Sequence, residues 1–251
     1  MNNPAQYHGR TEPRSADELD SAAVLDVLRH GAIEPYGRLN WSSNYALLST
    51  VELEERSLVA LYKPERGERA LWDFPAGLWR REVAAYELAN VVGWELVPPT
   101  VARPDGPLGA GSLQLWLDCD YDRSYFTEIE QPAAASWLRE LALFDLVINN
   151  ADRKGGHVLV TTSGERRAID HGLCFHSDDK LRTVMWDFVG EVMPPAAVNA
   201  LAGAEAAITA ALEEWLVPAE VEATRRRLGR LLDNPTFPAP FTDPPYPWPL
   251  L

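Results

Sequence analysis

Two acidic residues stand where an acid can act on a phosphate or a metal ion: Asp152 in the run N-N-A-D-R-K-G-G-H and Asp170 in the run A-I-D-H-G. The first run sets an acid, two basic residues (Arg153 and Lys154) and two glycines directly behind a long apolar stretch. Glycines allow backbone to approach a ligand closely, and a carboxylate such as Asp152 can orient or deprotonate a hydroxyl beside a phosphate. Asp170 closes a short apolar segment, and a carboxylate at a strand end suits a hard cation such as magnesium. A polar turn would account for either run alone. A hairpin turning at Ser163-Gly164 brings both carboxylates back to one cleft, and that pairing points to a site.

The elements around these runs must do the positioning. S-A-D-E at Ser15 to Glu18 offers a capping box for a helix reaching about His30, with Gly31 as its stop. The texture then predicts strands near 32–39, 45–53 and 57–62, and Leu78 to Val92 returns to helical period before Gly93. Strands are expected again at 99–102 and 112–117. Residues 15–120 thus form a small sheet carrying one main helix. From Pro132 to Ile148 the chain predicts a buried helix that runs straight into the first motif, followed by short strands at 157–161 and 166–169. Helices fill about 195–232, so 121–234 makes a second, mostly helical body.

Residues 1–14 are polar and set apart. The tail, 235–251, is too dense in proline for a packed helix or central strand, and its Phe237, Phe241, Tyr246 and Trp248 argue that it packs across its own domain. The tryptophans, Trp72, Trp79, Trp94 and Trp186 among them, read as core.

Composition narrows the function classes. With 46% hydrophobic and 24% charged residues the chain is an ordinary globular sequence. A net charge of −14 argues against nucleic acid as a partner, since that affinity rests on lysines and arginines neutralising phosphates. Arg225, Arg226, Arg227 and Arg230 read as a solvated helix face balanced by Glu220 and Glu222. Cys119 and Cys174 are too few for a disulfide framework or zinc site. The N-terminus lacks an apolar core of the export type, no transmembrane segment is expected, and the cytoplasm is the expected compartment. His171, His176, Asp178 and Asp179 read as a solvated loop rather than a second metal site.

The run D-R-K-G-G-H-V-L followed by A-I-D-H-G resembles the catalytic loop and metal-binding turn of the phosphatidylinositol 3- and 4-kinase-like superfamily, whose motifs read D-R-x-x-x-N and D-x-G. The span from about Leu39 to Gly172 is similar to small bacterial proteins placed in that superfamily and, more distantly, to HipA-type kinases. The resemblance implies an α+β, two-lobed protein-kinase-like fold, with a small antiparallel-sheet N-lobe, a mostly helical C-lobe, and ATP between them. It implies that Lys63 in A-L-Y-K-P holds nucleotide phosphates, that Glu82 is its helix partner, and that Asp170 holds Mg²⁺ or Mn²⁺. Asp152 would position the acceptor hydroxyl, with Arg153 or Lys154 stabilising transferred charge. Ser43 and Asn44, in the S-S-N loop of 42–44, would cover the phosphates, although no G-x-G-x-x-G is present. Gln114 and Trp116 would lie at the link between lobes, facing adenine.

One departure is notable: His157 stands where the superfamily has a metal-binding asparagine, and imidazole suits manganese or other transition metals better than magnesium. Lys154 also replaces a histidine common in the lipid kinases. The resemblance thus leaves open a kinase acting on a protein or small-molecule acceptor, a nucleotide-binding pseudokinase or scaffold, and a transferase of AMP.

Overall fold

A computed structural model of the chain describes residues 20–39 and 45–251. The first helix, α1 (Ser21–His30), is capped by Asp20, whose carboxylate accepts the Ala23 N–H at 2.8 Å. Ser15 and Glu18 lie outside the described residues. Gly31 does end α1, but not through a left-handed turn: its φ is −68°, and a Cβ there would fall 2.7 Å from both the Val27 carbonyl and the Val51 side chain. Close packing of helix on strand demands this glycine.

Strands β1 (Ala32–Arg38), β2 (Leu47–Leu53), β3 (Arg56–Pro64), β4 (Thr100–Arg103) and β5 (Gly111–Leu115) form one antiparallel sheet in the order β1-β2-β3-β5-β4. Successive side chains of a strand point to opposite faces. In β3, Leu58, Ala60 and Tyr62 therefore meet Val24, Val27 and Leu28 of α1 in the N-lobe core. Lys63 is turned to the other face.

Helix α2 (Leu78–Val92) has the predicted bounds and ends at Gly93, whose φ of +80° lets its N–H reach the carbonyls of Ala89 and Asn90. It is buried on several sides. Ala84, Ala85, Leu88 and Ala89 join the larger C-lobe core, so α2 belongs as much to that lobe as to the sheet. Arg81 on its flank is ion-paired with Glu220 of α6 (Pro218–Asp233), a buried tie between elements far apart in sequence.

The C-lobe is built from a short α3 (Tyr125–Glu128), α4 (Ala135–Ile148), a two-stranded hairpin of β6 (Val158–Val160) and β7 (Arg166–Ala168), α5 (Pro195–Glu213) and α6. Gly164 turns the hairpin with φ +91°. Among the described residues α5 alone is long and apolar enough to cross a membrane by length and composition; it lays Ala197, Leu201, Ile208 and Leu212 into the core beside α2 and α6. The small antiparallel sheet and the helical lobe are those of the expected two-lobed fold.

Three surface expectations need correction. Arg227 does not lie on a solvated face with Arg225, Arg226 and Arg230; it is buried and donates to the carbonyls of Val147 (3.2 Å) and His176 (3.1 Å), stapling α6 to the end of α4. Trp72 is not core, being 96% exposed. The tail packs through Phe237, which is buried with its ring 5.7 Å from that of Phe188, whereas Phe241, Tyr246 and Trp248 stay exposed.

Phe237→Ala should therefore cost about 3–5 kcal/mol of stability through the lost ring and the cavity it leaves. Urea unfolding would measure this, and a loss below about 1 kcal/mol would show that the tail anchor is peripheral.

Candidate active site

The loop after α4 is shaped by an acid that the sequence reading passed over. Asp145, 1% exposed, accepts the Arg153 guanidinium through both oxygens at 2.8 and 3.0 Å and the Asn150 amide at 3.0 Å. Arg153 is itself fully buried, and its remaining donors go to the Ile169 carbonyl (2.9 Å) and to His171 Nε2 (2.8 Å). A buried pair of this kind persists only when every donor and lone pair is met. Its effect is to lock the loop carrying Asp152 onto the turn carrying Asp170.

Arg153 is thereby corrected. It is not a group free to stabilise transferred charge; it holds the two acidic runs together. The signal was present in the sequence as one acid inside an otherwise apolar helical run, L-A-L-F-D-L-V-I, which demands a buried partner.

Around this frame the candidate side chains converge from both lobes. Lys63, on the cleft-facing side of β3, is ion-paired with Glu82 of α2 and reaches Asp170 Oδ1 at 3.2 Å. The second oxygen of Glu82 accepts the backbone N–H of His171 at 3.0 Å, so one buried carboxylate grips both the lysine and the metal-type turn. Asp170 takes the left-handed conformation, φ +63°, a costly backbone for a non-glycine residue that the Glu82 and Arg153 contacts on either side of it sustain. Its carboxylate remains 48% accessible to the cleft. His157 Nε2 lies 3.5 Å from Asp170 Oδ2, and Lys154 Nζ lies 3.1 Å from Asp152 Oδ2. Ligand atoms of Asp152, His157 and Asp170 all fall within 4.8 Å of one another, a separation that one divalent ion can span with small adjustments.

The electrostatics follow from this packing. The Lys63 ammonium holds the Asp170 carboxyl well below the usual carboxylate range. Burial opposes the charge on Lys63, but Glu82 and Asp170 outweigh it and keep the ammonium charged. Burial pushes Asp152 up to about 6, although Lys154 pulls the other way. Burial also lowers His157 to about 4 against the attraction of Asp170, so at neutral pH its ring is uncharged with a lone pair free to bind metal. His171 is likewise kept neutral, by burial first and by Arg153 second.

The remaining expected site residues are placed differently. Gln114 is buried within the sheet, its amide donating to Thr100 Oγ1 at 2.8 Å, and the Trp116 N–H is bound to the Val59 carbonyl at 3.0 Å. The Gln114 side chain is therefore not free to face adenine. Ser43 and Asn44 lie outside the described residues. His176, Asp178 and Asp179 form a polar loop, with Asp179 paired to Arg230.

No family model matches the chain. It is 40% identical over 261 residues to protein Rv2133c of Mycobacterium tuberculosis, covering 89% of this chain and 94% of that protein. This chain belongs to the family of that mycobacterial protein. It is also 29% identical over 140 residues to phosphatidylinositol 4-kinase gamma 4 of Oryza sativa subsp. japonica, which spans 51% of this chain but 24% of the plant protein. Among solved structures it matches the Helicobacter pylori proinflammatory kinase CtkA with a TM-score of 0.51 and 10% identity, over 83% of this chain and 94% of that one. The fold is kinase-like, and Asp152, His157 and Asp170 sit together in its cleft.

Two measurements check the site. Arg153→Ala should destabilise the protein by about 3–5 kcal/mol because Asp145 is left buried and unpaired; a surface-like loss in chemical denaturation would return Arg153 to a free catalytic role. In metal-free protein, carboxyl and imidazole NMR titrations should place Asp152 near 6 and His157 near 4. Ordinary midpoints of about 3.9 and 6.5 would show instead that both groups are hydrated.

Proposed function

We propose that this chain is an ATP-dependent phosphotransferase of the phosphatidylinositol 3-/4-kinase-like superfamily. The observation that carries the reading is the meeting of Lys63, Glu82, Asp170 and His157 in one cleft between sheet and helical lobe. The partial likeness to a plant phosphatidylinositol 4-kinase supports it from sequence.

In this reading Lys63, held charged by Glu82, binds nucleotide phosphates once it exchanges Asp170 for them. Asp170 and His157 hold a divalent ion, Mg²⁺ or Mn²⁺, and the donor set fits because one accessible carboxylate and one neutral imidazole face the same point. The ion would neutralise charge on the phosphate oxygens. Asp152, ionised above about pH 6, orients the acceptor hydroxyl and takes its proton, while Lys154 beside it restrains the carboxylate and faces the transferred group. Catalysis is positioning and electrostatics rather than covalent chemistry. A net charge of −14 supports a protein or small soluble acceptor over an anionic membrane surface, and with it a cytoplasmic setting.

His157 favours a second reading, a nucleotide-binding pseudokinase, because an imidazole replaces the oxygen ligand that magnesium prefers. Transfer of AMP instead of phosphate would leave a different added mass. Incubation with labelled ATP and Mn²⁺ or Mg²⁺, followed by intact-mass analysis, separates the three. Phosphate transfer should appear with Mn²⁺ and vanish in Asp170→Ala; unchanged turnover in that variant would sink the assignment. His157→Asn should shift the ratio of Mn²⁺- to Mg²⁺-supported turnover toward magnesium by about tenfold, in line with the usual effect of altering a metal's ligand shell.

A further inference from the structure

The proline-dense tail, which the phosphotransferase reading leaves without a role, runs to the centre of the site. Beyond the anchor at Phe237, the Thr242 hydroxyl donates to the Leu181 carbonyl. The Pro245 carbonyl then accepts both the Thr183 N–H and the Trp186 indole N–H, each at 3.1 Å. Pro247 is buried, and the Leu250 carbonyl accepts the Gly155 N–H at 2.7 Å.

Residues 182–184 are themselves paired with the catalytic loop. Arg182 N–H meets the Asn150 carbonyl at 2.9 Å, Arg153 N–H the Arg182 carbonyl at 3.0 Å, and Val184 N–H the Arg153 carbonyl at 3.1 Å. Loop, segment and tail therefore lie side by side, and the tail crosses over to touch the loop directly.

The point of contact is where the loop most needs restraint. Gly155 and Gly156 separate Asp152 and Lys154 from His157, and glycine has the greatest backbone freedom. Side chains cannot supply the stiffness, since a Cβ on Gly155 would fall 2.5 Å from the Phe126 ring. Other amides of the loop are satisfied within the C-lobe: Ala151 by the Leu173 carbonyl, Asp152 by Asn150, Arg153 by Arg182, and His157 by Lys154. Gly155 turns to the tail, and Leu251 lies 3.9 Å from where a Gly156 Cβ would stand. Proline suits such a strap: Pro244, Pro245, Pro247 and Pro249 have a fixed φ and little entropy left to lose on docking, while the Pro245 carbonyl still accepts.

We propose that residues 244–251 are a positioning strap for the catalytic loop, in which the Leu250 carbonyl fixes the glycine pair and so the separation of Asp152 from His157. What the strap serves rests on the phosphotransferase reading; the contact itself does not. A strap that positions makes its removal harmful, whereas one that occludes the cleft makes its removal activating.

The test compares the full chain with a variant ending at Asp243, which keeps Phe237 and Thr242, and with Pro247→Asp, which unseats the strap at full length. Amide exchange at Gly155 should accelerate by about tenfold while α4 stays protected. Mn²⁺ affinity, read by electron paramagnetic resonance, should weaken about fivefold. Turnover should fall about tenfold in kcat with KM for ATP unchanged. A synthetic peptide of residues 241–251 added to the truncated protein should restore all three. Unchanged exchange at Gly155 in both variants, or turnover that rises on truncation, would overturn the strap. If the full chain binds Mn²⁺ no better than Asp170→Ala, the phosphotransferase reading fails, and peptide-reversible exchange at Gly155 still upholds the strap.

Discussion

A single buried carboxylate joins the parts of this molecule that must act together. Glu82 on α2 takes the Lys63 ammonium with one oxygen and the His171 amide with the other. Burying a charge is tolerable only when it is paired and hydrogen-bonded, so the position of α2 is set by the need to satisfy both sides of Glu82. That constraint fixes where β3 and the turn after β7 lie relative to each other, and hence where Asp170 meets the cleft. The packing of α2 into the C-lobe core and its Arg81–Glu220 tie hold the same helix from behind.

A second network, Asp145 with Arg153, does for the loop carrying Asp152 what Glu82 does for the lysine. It sits below the site, out of solvent, and reaches Asn150, Ile169 and His171. The two networks meet at His171, whose backbone serves one and whose ring serves the other. Asp170 lies immediately before it in a left-handed conformation, flanked by a contact from each network. The strained residue and the accessible carboxylate are the same residue, which is where a functional constraint shows most directly.

The chemistry of the cleft follows from the different neighbours of similar groups. The Lys63 ammonium beside Asp170 holds that carboxyl down and keeps it ionised, whereas burial pushes Asp152 up to about 6. Two carboxylates pushed apart in this way are suited to different tasks, one to hold charge and one to exchange a proton. His157 completes the arrangement as a neutral donor rather than a third acid.

Much of this was legible in the residues themselves. Periodicity alone placed α2 within its bounds and the strands within a few residues of theirs, because a half-buried element must repeat its apolar face with its own period. Asp152 and Asp170 stood out by residue type and place, whereas Lys63, Glu82 and His157 were picked out through the resemblance to the kinase-like superfamily. The tertiary structure alone decided the rest. Whether Arg153 faced solvent or core, whether Arg227 was surface or staple, and where Gln114 spent its amide all depend on partners distant in sequence, such as Asp145, Val147 and Thr100. The landing of the tail on Gly155 is the same kind of fact. Local pattern reports a residue's own preferences, whereas a buried hydrogen bond is settled by which unsatisfied group the fold brings opposite it.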